Sequence, residues 1–160
     1  MADARIFRDL KADHDKHRKL LEQLGETQGA SDERKDLFEA LRKELQAHAA
    51  AEEESLYATM LGNPDLRDEA RHSVSEHKEI DDFLGELFEI DMSSSAWLTK
   101  FKEMRHRYLH HIDEEEEEMF PEAAEKLSAE TEKELAEVFE KRKPKELATA
   151  EKELPGDARE

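Results

Sequence analysis

The chain has 160 residues, 42% of them charged, a formal net charge of −18 and no cysteine. That length fits one domain around one core. The negative charge argues against nucleic acid and anionic lipid as partners. The missing thiol excludes disulfides, thiolate catalysis, Cys-ligated zinc and cysteinyl iron–sulfur clusters, so any metal must be held by imidazole and carboxylate.

With only 5 Gly and 4 Pro, the composition favours helix over strand and turn. The first 15 residues carry no apolar signal region and no run is long enough to span a bilayer, so the cytoplasm is the expected location. Apolar residues recur at helical spacing in four long segments. The first, about residues 3 to 24, places Ile6, Phe7, Leu10, Leu20, Leu21 and Leu24 on one stripe and ends at the Gly25–Gly29 stretch. The second starts near Asp32, read as its N-cap, carries Phe38, Leu41, Leu45, Leu56 and Tyr57, and stops at Gly62-Asn63-Pro64. Asn63 before Pro64 reads as the cap of a third helix with proline in its first position. That helix carries Leu66, Ala70, Val74, Ile80, Leu84, Leu87 and Phe88. Ser93-Ser94-Ser95 closes it and caps a fourth, with Trp97, Phe101, Met104, Tyr108 and Ile112, which ends at Phe120-Pro121. A shorter fifth helix over about residues 128 to 143 carries Leu135, Val138 and Phe139. Short loops between long helices predict an all-α, up-down-up-down antiparallel four-helix bundle with a short C-terminal helix. The expected domain is 1–143, followed by a polar, frayed tail over 144–160.

The chain repeats itself at an offset of 63 residues. His14 maps to His77, His48 to His111, Glu52 to Glu115 and Tyr57 to Phe120. Flanking positions agree in type, as with Asp13 and Glu76, or Phe38 and Phe101. Each half is therefore one helical hairpin, and the leg lengths bring all four histidines to one height to within about two turns at about 1.5 Å per residue. His48 with Glu52, and His111 with Glu115, are i,i+4 pairs on one helix face. Both continue an inward apolar stripe: Phe38, Leu41, Leu45 in one case, Phe101, Met104, Tyr108 in the other. Polar groups thus stand where core residues belong. Left unpaired, they would cost many kcal/mol. Two divalent cations held by four imidazoles and bridged by two carboxylates would account for all six at once.

These residues resemble the hemerythrin-like, or HHE cation-binding, family. The matching pieces are Asp13-His14, the run from His48 through Glu52 to Tyr57, Glu76-His77, and the run from His111 through Glu115 to Pro121. The resemblance implies a hemerythrin-like bundle with a non-haem di-iron cofactor. His14 and His48 would ligate one iron and His77 and His111 the other, with Glu52 and Glu115 bridging alongside an oxo or hydroxo group. Oxygen-carrying members have a fifth histidine one turn from another on the third helix, where this chain has Ser73 and Asp81. A four-histidine site leaves more open coordination, which suits reactive or sensing chemistry. Ala58 stands where the family often has proline. Bacterial members that repair iron–sulfur centres share the four-His, two-Glu set, usually with an added N-terminal cysteine-bearing segment not found here.

The expected function is binding of, or reaction with, dioxygen, peroxide or nitric oxide in sensing or detoxification. A second reading is iron storage, delivery or iron–sulfur repair, with an electron donor or iron acceptor protein as partner. A third is a structural bundle with adventitious zinc. Among the other histidines, His17, one turn from His14, is read as a partly exposed helix residue, with a fifth ligand or a donor behind a ligand as the alternatives, and His72, His106 and His110 are expected to be surface residues. Glu53 and Glu116 are at best candidates for holding a ligand in place. Tyr57 and Phe120 are expected to wall one end of the cavity, and Tyr108 to pack in the core, with a hydrogen bond near the site as its alternative role. The ferritin-like Glu-x-x-His pattern at Glu103–His106 lies outside the repeat and is rejected.

Overall fold

The helical spacing of the apolar residues is realised along nearly the whole chain. The computed structural model describes residues 3–155, and no strand occurs among them. Helices α1 (Arg5–Gly25) and α2 (Asp32–Glu52) form one hairpin, and α3 (Arg67–Glu89) and α4 (Ser95–Glu114) the other. Helix α5 (Ala129–Ala150) lies against α2 and α1. The α1–α2 loop turns at Gly29, whose φ of 60° lies in the left-handed region open to glycine.

Hydroxyl caps start three of the helices. Ser31 Oγ accepts from Arg34 N at 3.1 Å, so the cap of α2 is the residue before Asp32. Ser94 Oγ accepts from Trp97 N at 3.3 Å and Ser128 Oγ from Thr131 N at 3.1 Å. The start of α3 differs from expectation. Asn63 caps a turn instead of the helix: its Oδ1 accepts from Asp65 N at 2.9 Å, and the α-helix begins only at Arg67.

Both inner helices continue beyond their α-helical bounds. A π-helical turn, Glu53–Tyr57, follows α2 and leads into a short segment, Ala58–Leu61. Another, Glu115–Met119, follows α4 and leads into Phe120–Lys126. Pro121 sits in the first turn of that last segment, where a missing N–H is tolerated, so the chain stays helical past the point where the proline was expected to stop it. Likewise α5 runs through Pro144 to Ala150 instead of ending at Lys143. The proline removes one helical donor. At the helix end Arg42 Nη1 donates to the Ala150 carbonyl at 2.9 Å and the Glu153 carbonyl at 3.0 Å. Residues 144–150 are therefore helix, not frayed tail, while 156–160 lie outside the described residues.

The buried apolar side chains form two clusters. One, around Ile6, Phe7, Leu56, Tyr57, Phe120 and Phe139, fills the end near the α2–α3 connection. The other, around Leu24, Phe38, Leu41, Trp97, Phe101 and Met104, fills the opposite end. Between them lies a belt of buried polar residues. Two members of the expected stripes face outward, Phe88 at 42% exposure and Val138 at 38%.

Candidate metal centre

All six predicted site residues meet in that belt. His14, His48, Glu52, His77, His111 and Glu115 are each buried. The rings pair within hairpins, His14 and His48 with centroids 5.1 Å apart and His77 and His111 at 4.9 Å. Each carboxylate lies between the hairpins. Glu52 Oε1 is 3.5 Å from His48 Nε2 and 3.3 Å from His77 Nε2. Glu115 Oε1 is 2.8 Å from His111 Nε2 and 3.8 Å from His14 Nε2. Despite this proximity, the four Nε2 atoms and four carboxylate oxygens have no partner in hydrogen-bonding geometry. Leaving one buried polar atom so costs about 1–3 kcal/mol, more for a charge. Two groups of these atoms converge closely enough to share a cation: Glu52, His77, His111 and Glu115, and His14, His48 and Glu52.

The outer nitrogen of each ring is held by a carboxylate from a neighbouring helix. Asp13 on α1 binds His48 Nδ1 at 2.8 Å, and Glu53 after α2 binds His77 Nδ1 at 2.9 Å. Glu76 on α3 binds His111 Nδ1 at 2.8 Å, and Glu116 after α4 binds His14 Nδ1 at 2.7 Å. These four bonds run round the bundle and close on themselves, and they obey the 63-residue repeat. A carboxylate on Nδ1 fixes the proton there and leaves Nε2 as a lone-pair donor aimed inward. Two more repeat-related contacts close one end. Tyr57 stacks on the His77 ring at 5.2 Å and Phe120 on the His14 ring at 6.0 Å. The wall expected of this pair is what they form.

The cluster needs positive charge. Burial disfavours the imidazolium of His48, but the hydrogen bond to Asp13 and the nearby Glu52 carboxylate outweigh it and raise the ring to about 9. In His111 burial is likewise overcome, chiefly by the Glu115 charge, and the ring rises to about 10. Burial and the neighbouring Glu52 charge push the Glu115 carboxyl up. Protons thus neutralise the carboxylates where a cation could replace them.

Three features depart from the preferred sequence reading or lie outside it. His17 is fully buried. Its Nδ1 lies 2.7 Å from the Tyr108 hydroxyl and its Nε2 3.2 Å from Glu44 Oε2. Burial depresses it to about 4. Tyr108 is therefore a hydrogen-bonding neighbour of the site as well as core. The signal was in the repeat, because the counterpart of His17 is Ile80, an inward position. Lys143, on α5, donates to Asp13 Oδ2 at 2.7 Å and Glu44 Oε2 at 3.0 Å. It ties the fifth helix to the carboxylate behind His48, and nothing in its local sequence marks it. The π-helical turns, which place Glu53 and Glu116, also carry no sequence signal; such turns commonly mark functional sites. His72, His106 and His110 are exposed, as expected.

Two openings reach the belt. A cavity of about 340 Å³ between α2 and α3 reaches His48, His77 and Tyr108, with Leu45, Val74, Ile80 and Leu84 on its walls. A second, of about 250 Å³ between α3 and α4, reaches His111 and Glu115.

An antiparallel helical bundle with imidazoles and carboxylates converging at its waist defines a metal-binding helical protein. Residues 5–123 match the hemerythrin HHE cation binding domain, and the chain belongs to that family. The fold is similar to the crystal structure of a hemerythrin HHE cation binding domain-containing protein, an Rv2633c homolog from Mycobacterium kansasii. That likeness has a TM-score of 0.77 and 26% identity over 88% of this chain and 85% of that one. Among curated proteins no match is found. No helix among the described residues is long and apolar enough to cross a membrane.

Proposed function

We propose that this protein binds a non-haem pair of iron ions and, through them, dioxygen, peroxide or nitric oxide. The observation that carries this reading is the set of buried, inward-facing Nε2 and carboxylate atoms without hydrogen-bonding partners. His14 and His48 would hold one ion, His77 and His111 the other, and Glu52 and Glu115 would span the two. A mixed imidazole and carboxylate set suits iron, manganese or zinc, and affinity order alone does not choose among them. Bound iron would supply reversible electron transfer to a small ligand.

The chain's own part is to orient and to exclude water. The four outer carboxylates fix ring direction and proton position. Tyr57 and Phe120 seal one end with stacked rings. The cavity between α2 and α3 offers a small ligand a path to His48 and His77 past the apolar Leu45, Val74, Ile80 and Leu84, with Glu53, Lys78 and Glu146 also on its walls. Tyr108 lines this path with its hydroxyl already engaged by His17, so it presents an oriented group to whatever arrives.

Elemental analysis and a visible spectrum of protein from iron-supplemented cells test the reading. About two irons per chain, with a charge-transfer spectrum lost in Glu52→Ala, are the expected result. Rapid mixing of the reduced protein with each gas and with peroxide should then change that spectrum. Stoichiometric zinc, or spectra unmoved by every ligand, would overturn it. A second reading, iron storage or delivery to an acceptor protein, is favoured by the acidic second opening and predicts rapid loss of iron to a weak chelator.

A further inference from the structure

The two openings differ in chemistry. The larger combines aliphatic walls with charges of both signs, among them Glu53, Lys78 and Glu146, whereas the one between α3 and α4 is lined by the carboxylates of Asp68, Glu69, Glu76, Glu114, Glu115 and Glu118. Neither lysine nor arginine is among its lining residues. We propose that His72, Glu76 and Glu114, on the rim of this cleft, form an outer divalent-cation site through which metal reaches the central cluster.

The rim residues stand at ligand spacing. His72 Nε2 lies 3.5 Å from Glu76 Oε1 and 3.8 Å from Glu114 Oε2, and one donor atom from each of the three lies within 4.8 Å of the others. His72 is an exposed imidazole on an acidic face, which adds a nitrogen donor that plain acidic surface lacks. His110 Nε2 holds Glu114 Oε1 at 2.7 Å, which steadies that carboxylate and leaves its second oxygen toward His72. Carboxylates crowd around Glu69, which burial, Glu122 beside the cleft and Glu118 within it raise to about 7.

What distinguishes this cleft from an ordinary solvated face is its floor. Glu115 is 1% exposed, neither of its oxygens has a hydrogen-bonding partner, and it lines the cleft together with His111. Glu76 belongs to both levels. It is a rim ligand and also the carboxylate on His111 Nδ1 at 2.8 Å. A cation held at the rim is thus one side chain away from the central cluster.

The repeat supplies an internal control. The positions in the first hairpin that correspond to Asp68, Glu69, Glu114 and Glu118 are Arg5, Ile6, Ala51 and Ser55, and the counterpart of His72 is Asp9. Ile6, Ala51 and Ser55 are buried. The acidic rim is a property of one hairpin only, so the symmetry of the central site does not explain it.

The delivery role rests on the central metal centre proposed above, but the outer site itself does not. The test is titration of metal-free protein with Mn²⁺, counted by the EPR signal of free Mn²⁺, with the rate of loading followed by rapid mixing. Wild-type protein should bind three ions per chain and His72→Ala/Glu114→Gln two, with the central pair filled to the same extent but more slowly, by about tenfold as expected for a lost electrostatic guide. Glu52→Ala/Glu115→Ala should keep only the outer ion. Equal counts and equal rates in wild type and His72→Ala/Glu114→Gln would overturn the proposal. If wild type binds one ion and His72→Ala/Glu114→Gln none, the outer site stands and the central reading falls.

Discussion

The two hairpins carry the same ligand pattern but are finished differently. The first is covered by α5, which sets Phe139 against the His48 ring at 6.0 Å and Lys143 onto Asp13 and Glu44. No helix among the described residues covers the second, and its equivalent face is the acidic cleft. A duplicated hairpin thus yields one side covered by a helix and one that opens on an acidic cleft. The same contrast recurs deeper in the bundle. His17 and Tyr108 bond to each other, whereas their repeat counterparts, Ile80 and Leu45, line the cavity between α2 and α3. The shared residues make the centre, and the residues that break the repeat decide how it is reached.

The largest effect should come from uncovering the first hairpin. Phe139→Ala removes a ring that is 3% exposed and should cost about 3–4 kcal/mol in urea unfolding. Phe88→Ala on the uncovered hairpin, at 42% exposure, should stay within about 0.5 kcal/mol of wild type. Equal losses would mean that α5 does not stabilise the side it covers. The inner asymmetry should show a smaller effect. His17→Leu leaves the Tyr108 hydroxyl and one Glu44 oxygen without this partner and should cost about 1–3 kcal/mol. Adding Tyr108→Phe should recover part of that loss, since both ends of the bond are then apolar. Metal content should be the same in both variants, and a drop would make His17 a ligand.

The smallest effect concerns Asp9, the counterpart of His72. Burial and the adjacent Glu140 carboxylate raise Asp9 from 3.8 to about 7. Between those values the folded chain keeps a proton that the unfolded chain has released, so this group lowers stability as pH rises through that window. Asp9→Asn should melt with wild type near pH 4 and roughly 2 °C above it at pH 8. A gap that narrows with rising pH would contradict this sign.

Much of this architecture could be read in the sequence because two signals agree. The inward stripe Phe38, Leu41, Leu45 runs on to His48 and Glu52, and the 63-residue repeat carries the same step to His111 and Glu115. What escaped reading was set by tertiary packing. Proline at 144 marks a helix end by local propensity, yet Arg42, far away in sequence, satisfies the carbonyls beyond it. His17 looks amphipathic on its own helix, and only the neighbouring α2 and α4 supply Glu44 and Tyr108 to bury it. The π-helical turns arise where Glu53 and Glu116 must reach across to another helix, a demand invisible from within either segment.

The closed circuit of carboxylate-to-histidine bonds has an evolutionary reading. Each hairpin makes one such bond within itself, Asp13 to His48 or Glu76 to His111. Each also gives one to the other hairpin, Glu53 to His77 or Glu116 to His14. Two identical copies of a single hairpin, related by a two-fold axis, would close the same circuit with no residue added. A half-length ancestral chain could therefore have built the complete centre as a homodimer. Fusing the two copies then freed each half to diverge, one to take a cover and the other to keep a door.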